Sequence, residues 1–298
     1  MAIARARFTT LLSVVYPRTS TQTIGVTGAS GRLGGKVARM VATTGHQQRL
    51  LLRRPDAAPA LPRSEIARIA YSDGPTCRQA LDGIETLFMV SAKESAERVA
   101  DHRTFIDAAA AAGVRHIVYT SFYGAAEDAV FTFARHHWAT EEHVRASGMR
   151  WTFLRNNLYM DLIPFIPGAD GVIRGPAGTG QISAVAQDDI AEVAVSVLLG
   201  PDSHAAVTYD LTGPEELSLA DVAALLSTVT GRRVTYVPET LDEAYASRAS
   251  YGAADWEVEA WVTTYLAIAA GELAGVSDAV ERVTGHRPTA LHDLLARG

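Results

Sequence analysis

Short apolar runs recur along the chain, and most are followed by a longer stretch whose apolar residues repeat every three or four positions. Residues 24–27, 48–52, 66–70, 86–90, 116–121 and 151–154 read as strands. Helices are expected from near Arg32 to Gly45, over 77–81, over 96–112 and over 134–146, with Gly83, Gly113 and Gly148 closing the last three. The first helix carries Leu33, Val37, Met40 and Val41 on one face. Strands that are almost uniformly apolar and alternate with helices predict a parallel sheet covered on both faces. After residue 157 the pattern changes. Residues 168–180 are glycine-rich, and Asp188 and Asp189 read as the cap of a helix running to Leu199. Two strand-like runs, 206–211 and 233–237, flank a helix capped by Ser218, and the last fifty residues are mostly helical, carrying Trp256, Trp261 and Tyr265.

The junction between the first strand and the first helix contains Gly28, Gly31 and Gly34. A strand that passes through glycines into a helix leaves backbone N–H groups at the positive end of the helix dipole, a setting suited to phosphate. Gly28 permits the tight turn, Gly31 a close approach to pyrophosphate, and Gly34 close packing of helix on sheet. The expected fold is therefore α/β: a Rossmann-type doubly wound parallel sheet over 23–157, with a smaller mixed α/β lobe over 158–298. The lobe is partly interleaved with the sheet and leans over the carboxyl ends of its strands. The turn from Gly28 through Ser30, Gly31, Arg32, Leu33 and Gly34 is the expected cofactor cradle. Val90, Ser91 and Ala92 after the fourth strand, with Thr120 and Ser121 ending the fifth, are further expected cofactor contacts.

Position 53 lies 19 residues beyond Gly34 (53 − 34) and ends the second strand. An acidic residue there would accept hydrogen bonds from the ribose hydroxyls of NAD. This chain has Arg53, followed by Arg54. A guanidinium fork matches a 2′-phosphate, so NADP, with NADPH preferred over NADH, is the expected cofactor.

Composition narrows the partners. The 298 residues carry 27 Lys and Arg against 33 Asp and Glu, a net charge of −6 with no basic block, which argues against nucleic acid. No apolar run approaches the roughly 20 residues that span a bilayer, so no membrane association is expected. One cysteine, Cys77, excludes an intramolecular disulfide and a cysteine-based metal cluster. His136 and His137 are adjacent and point to different helix faces, while His102 and His116 lie on separate elements, so no metal site is expected. Residues 1–22 superficially resemble the start of a secretory signal, but the apolar part is short and broken by Thr and Ser. They are expected to be an unstructured extension of a cytoplasmic protein, with a transit-type peptide as the alternative. A monomer or homodimer is expected.

The combination of Thr27-Gly-Ala-Ser-Gly-Arg-Leu-Gly34, Leu52-Arg-Arg-Pro55, Tyr119-Thr-Ser121 and Leu154-Arg-Asn-Asn157 resembles the NmrA-like family of atypical short-chain dehydrogenase/reductases. The resemblance is greatest to the NAD(P)H:quinone oxidoreductase and azoreductase type. It runs from Thr23 onward and includes Gly271-Glu-Leu-Ala274 and Val283-Thr-Gly-His-Arg-Pro288. It implies reduction of a small-molecule acceptor such as a quinone. Some members of the family bind NAD(P) without turnover and act as redox sensors, which is the alternative reading. The wider superfamily's Tyr-x-x-x-Lys pair is missing: the two lysines, Lys36 and Lys93, follow Arg32 and Met89 by four residues. The family's usual aspartate beside an aromatic, at the end of the third strand, is replaced by Ala70-Tyr71, with Asp73 nearby.

A quinone accepts hydride with little acid catalysis, so the site has mainly to stack the acceptor and stabilise a developing oxyanion. Donors around Ser91, Ser121, Asn156 and Asn157 are candidates for that task. His137, which the resemblance places where some relatives carry a lysine, is a candidate proton donor because an imidazole titrates near neutrality. Tyr159 and Tyr123 are further donors and Phe122 an apolar wall. The candidate catalytic residues are His137, Asn156 and Tyr159.

Overall fold

The computed structural model describes residues 23–297; the expectation for residues 1–22 lies outside them. The strands are β1 (Thr23–Thr27), β2 (Gln47–Leu52), β3 (Ser64–Arg68), β4 (Ile84–Met89), β5 (His116–Phe122), β6 (Arg150–Asn156), β7 (Val172–Gly175), β8 (Gln181–Ile182), β9 (Val207–Leu211), β10 (Leu217–Ser218) and β11 (Thr235–Pro238). The helices are α1 (Arg32–Thr44), α2 (Gly74–Leu81), α3 (Arg98–Ala111), α4 (Thr132–Ala146), α5 (Gln187–Leu199), α6 (Leu219–Thr230), α7 (Leu241–Arg248), α8 (Asp255–Ala269), α9 (Ala279–Thr284) and α10 (Leu291–Leu295). Seven strands form one sheet in the order β3-β2-β1-β4-β5-β6-β9, and every neighbouring pair is parallel.

The strands are apolar on both sides because both sides are covered. On one face α1 and α5 pack Val37, Val41, Ile190 and Ala194 against Ile24, Val26 and Leu50. On the other, α2 and α3 place Leu81, Phe105 and Ile106 against Leu51, Leu87, Met89 and Tyr119. A third core, with Phe131, Met160, Ile173, Leu219, Val222 and Ile268, belongs to the smaller lobe. Its small sheets are the parallel pair β7–β11 and the antiparallel pair β8–β10.

Three expectations are corrected. The third strand lies two residues earlier than expected, at 64–68 rather than 66–70. The run at 206–211 is not a strand of the smaller lobe: β9 pairs with β6 at the edge of the main sheet, and α5 covers that sheet, so the chain crosses back after residue 157. Asp188 and Asp189 do not cap α5, whose cap is Ala186; the Gln187 N–H instead reaches the Asp161 carboxylate at 2.8 Å. Asp189 is buried and accepts the backbone N–H (2.7 Å) and hydroxyl (3.0 Å) of Thr289, pinning the C-terminal segment. Asp188 pairs with Lys36 of α1. Among the described residues no helix is long and apolar enough to cross a membrane.

Candidate functional site

The β1–α1 turn has the geometry that its glycines allow. Gly28 adopts φ +65°, and a Cβ on Gly34 would stand 2.4 Å from the Gly28 carbonyl oxygen, closer than backbone can yield. The Gly31 N–H turns inward to that same carbonyl (2.8 Å). Gly31 is the N-cap of α1, where no side chain caps the helix and no acidic residue enters the first turn. The first-turn amides thus meet no side-chain acceptor, which is the environment an anion requires. Ser30 and Arg32 are exposed at the turn, whereas Leu33 is buried in the core and can offer a ligand only its backbone. The Arg32 guanidinium lies 5.7 Å from the Phe165 ring centroid. Arg53 follows β2, whose Leu51 carbonyl accepts the Gly28 N–H, so it emerges beside the turn. Both Arg53 and Arg54 are exposed and, among the described residues, without an ion-pair partner.

Tyr71 and Asp73 have other tasks than holding adenine. Asp73 caps α2, accepting the backbone N–H (3.1 Å) and hydroxyl (2.6 Å) of Thr76, and these bonds lower its pKa. The Tyr71 hydroxyl donates to the Val90 carbonyl (2.7 Å) and shares a 2.9 Å hydrogen bond with the Thr27 hydroxyl.

That contact belongs to a wider clamp on the segment after β4. The N–H groups of Val90, Ser91 and Ala92 are taken, each at 2.8 Å, by Thr27 Oγ1, Thr120 Oγ1 and His102 Nε2. Three acceptors from three elements hold three consecutive amides. The Ala92 carbonyl accepts from Arg98 Nε at 3.1 Å. This segment is therefore shaped in advance, and its amides are not available as oxyanion donors.

The same accounting removes other candidates. The Ser121 hydroxyl donates to buried Glu141 at 2.5 Å, and Thr120 is 1% exposed with its hydroxyl spent on Ser91. Asn157 donates to the Leu273 carbonyl (3.0 Å) and accepts the Leu158 N–H (2.8 Å). The Tyr123 hydroxyl donates to the Ala274 carbonyl at 2.8 Å. Phe122 packs its ring on Phe131 and His137. Asn156 differs. It is 2% exposed, and neither its Nδ2 nor its Oδ1 has a hydrogen-bond partner among the described residues. A buried amide with four unused hydrogen-bonding positions costs free energy unless a ligand uses them. Tyr159 stands beside it: burial raises the phenol's pKa, against lowering by the Asn156 amide and the Arg98 charge.

His137 is not placed as a proton donor. Arg98 Nη2 donates to its Nε2 (3.1 Å), so the ring proton sits on Nδ1 and is shared with the Tyr119 hydroxyl (2.8 Å). Burial, then the Arg98 charge, holds its pKa well below the usual value, and the ring stays neutral. His102 is depressed for the same two reasons, and burial lowers His116 to about 4. An unfolded chain protonates these residues near pH 6.5, by about 1.4 kcal/mol per pH unit for each histidine, while the folded protein refuses the protons. Stability is therefore expected to fall as pH drops below about 6.5. Urea unfolding on either side of that value checks this; equal stabilities would contradict the neutral assignment.

Arg98, His102 and Glu141 were missed in the sequence. Their signal is register: Arg98 and His102 extend the buried stripe of Phe105, Ile106 and Ala109 on α3, and Glu141 lies between His137 and Val144 on that of α4. Polar residues on an apolar face mark an internal network. Among the described residues no group of three or more His, Cys, Asp or Glu side chains is arranged to hold a metal ion.

The NmrA-like family model matches residues 20–248. The chain is 34% identical over 269 residues to an NAD(P)H azoreductase of Xenophilus azovorans, covering 87% of this chain and 92% of the relative. It is 32% identical over 282 residues to quinone oxidoreductase 2 of Escherichia coli, covering 92% and 97%. The crystal structure of an NADPH-dependent quinone oxidoreductase from Escherichia coli in complex with NADPH superposes with a TM-score of 0.84 at 30% identity, covering 92% of this chain and 99% of that one.

Proposed function

Because the chain belongs to the NmrA-like family, we propose that it is an NADPH-dependent reductase that passes hydride to a quinone or a similar planar electrophile. The observation that carries the reading is Asn156, a buried amide without a partner at the carboxyl end of β6, where an open α/β sheet binds its ligands. The uncapped first turn of α1 fits the diphosphate of the cofactor, and Arg53 fits its 2′-phosphate. When bound, NADPH supplies the hydride. The protein's part is to hold and to polarise. Asn156 Nδ2 donates to the acceptor oxygen as negative charge develops there, a donor whose position is already set by the strand. Tyr159, kept protonated by its raised pKa, stands beside Asn156 to hydrogen-bond the reduced oxygen and relay a proton from solvent.

Mixing the protein with NADPH and a panel of quinones, while following the absorbance of the reduced nicotinamide, tests the activity. Acceptor-dependent oxidation is expected. Tight NADPH binding without oxidation by any quinone would instead identify a nucleotide-binding sensor. Arg53→Asp is expected to shift preference from NADPH toward NADH by roughly 10- to 100-fold, the value of a hydrogen bond to a charged group. An unchanged ratio of kcat/KM for the two cofactors would remove Arg53 from the phosphate site.

A further inference from the structure

Among the described residues Glu141, Asp189, Arg248 and Arg98 are buried with a formal charge, and three of them are answered. Glu141 is bound by Arg155 and Arg145, Arg248 by Glu239, and Asp189 by the amide and hydroxyl of Thr289. Arg98 is the fourth. It is 4% exposed, and among the described residues no carboxylate lies within ion-pair distance of it. Its partners are neutral: the Ala92 carbonyl, His137 Nε2 and the face of Phe133, 5.3 Å from the ring centroid. Buried arginines are almost always paired, since the desolvation of an unpaired guanidinium is expensive. The histidines around it, His102, His136 and His137, are all depressed by burial and by this charge, so none adds a second cation. Arg98 thus brings an ion-unpaired positive charge to the enclosed side of the site: it donates to His137, whose ring stacks on Phe122, the cross-strand neighbour of Asn156, and its charge on Tyr159 is opposed by that of Asp161.

We propose that Arg98 is the fixed positive charge of the acceptor site, selecting acceptors that become negatively charged on taking up hydride over acceptors that begin as cations. The proposal rests on the reductase reading. For a neutral quinone, transfer of hydride oxidises NADPH to NADP⁺ and leaves an oxyanion, which then takes one proton from solvent through Tyr159. A cationic acceptor becomes neutral on receiving the same hydride and needs no proton. A buried cation stabilises the first change and opposes the binding of the second acceptor. Arg98 is enclosed and touches Ala92 and His137 rather than an acceptor, so it acts by its charge and is a positioning residue.

The test compares a neutral quinone with a cationic triphenylmethane dye in the wild-type protein, Arg98→Gln and Arg98→Lys. Arg98→Gln is expected to lower the quinone-to-dye ratio of kcat by on the order of 10- to 100-fold. Arg98→Lys, which keeps the charge and loses the fork, is expected to retain most of the ratio. Equal losses with both acceptors would mean that Arg98 only supports the fold, and would overturn the proposal. A measurement on the wild-type protein covers the case in which the variants fail to fold. A nitrophenol, whose absorbance reports its ionisation, should bind as the phenolate, with its apparent pKa lowered; binding as the neutral phenol would equally overturn the proposal. Absence of quinone turnover in the wild-type protein with phenolate capture intact would remove the reductase reading and leave the cationic site standing.

Discussion

Asn156→Ala is expected to lower kcat for quinone reduction by about 100- to 1000-fold, the usual effect of removing one preorganised oxyanion donor. NADPH affinity should change little, because the diphosphate and 2′-phosphate contacts assigned to α1 and Arg53 lie at the other end of the cofactor. The fold should not suffer. The Asn156 side chain makes no hydrogen bond of ordinary length among the described residues, and the Tyr159 phenol beside it is the one group whose surroundings its removal alters directly. The variant is expected to unfold within about 1 kcal/mol of the wild-type protein, or to be slightly more stable, as happens where a site holds a group for function at the expense of stability. Steady-state kinetics, nucleotide titration and urea unfolding separate the three effects. A kcat within about threefold of wild type would place the acceptor oxygen elsewhere.

Glu141→Ala is expected to do the opposite, with a loss of about 3–5 kcal/mol in stability. Glu141 is fully buried and takes four hydrogen bonds: from the Ser121 hydroxyl, from Arg155 Nε (2.9 Å) and Nη2 (2.7 Å), and from Arg145 Nη2 (3.1 Å). Removing the carboxylate leaves the half-buried Arg155 guanidinium without its ion-pair partner, and an uncompensated charge costs more than the pair contributed. At roughly 2–4 °C per kcal/mol, Tm should fall by about 10 °C. The lesion ties α4 to the ends of β5 and β6, so residual activity at low temperature should show a raised KM. A loss below about 1 kcal/mol would mean that water replaces the carboxylate and that the network is not a structural joint. Opposite outcomes at Asn156 and Glu141 would distinguish a residue held for a ligand from residues held for one another.

The family resemblance makes His137 a candidate proton donor, but both its ring nitrogens face other side chains and the ring is neutral. The side chains of Ser121 and Asn157, also candidate donors, are engaged by Glu141, Leu273 and Leu158. The Asn156 amide, by contrast, is buried with neither polar atom in a hydrogen bond of ordinary length among the described residues, and with Tyr159 beside it, it carries the proposed mechanism.

What the sequence determined by itself is local or periodic. The β1 strand, the three glycines and α1 form one continuous stretch, so spacing alone encodes the turn and the helix end without a side-chain cap. The apolar strands encode a sheet buried on both faces, because each strand carries that information within five to seven residues. That Arg53 stands at the end of β2, beside the turn, also follows from counting along the chain. Tertiary structure alone decided everything that depends on partners far apart in sequence. The short run at 207–211 became the edge of the main sheet because β6 was there to pair with it, and Asp189 became an anchor because Thr289 reached it. Sequence could place Arg98 on its helix and Asn156 just past a strand that in fact runs on to include it, but not reveal that one lacks a counter-charge and the other ordinary hydrogen bonds. Those are statements about every neighbour at once, and neighbours are a property of the packed chain.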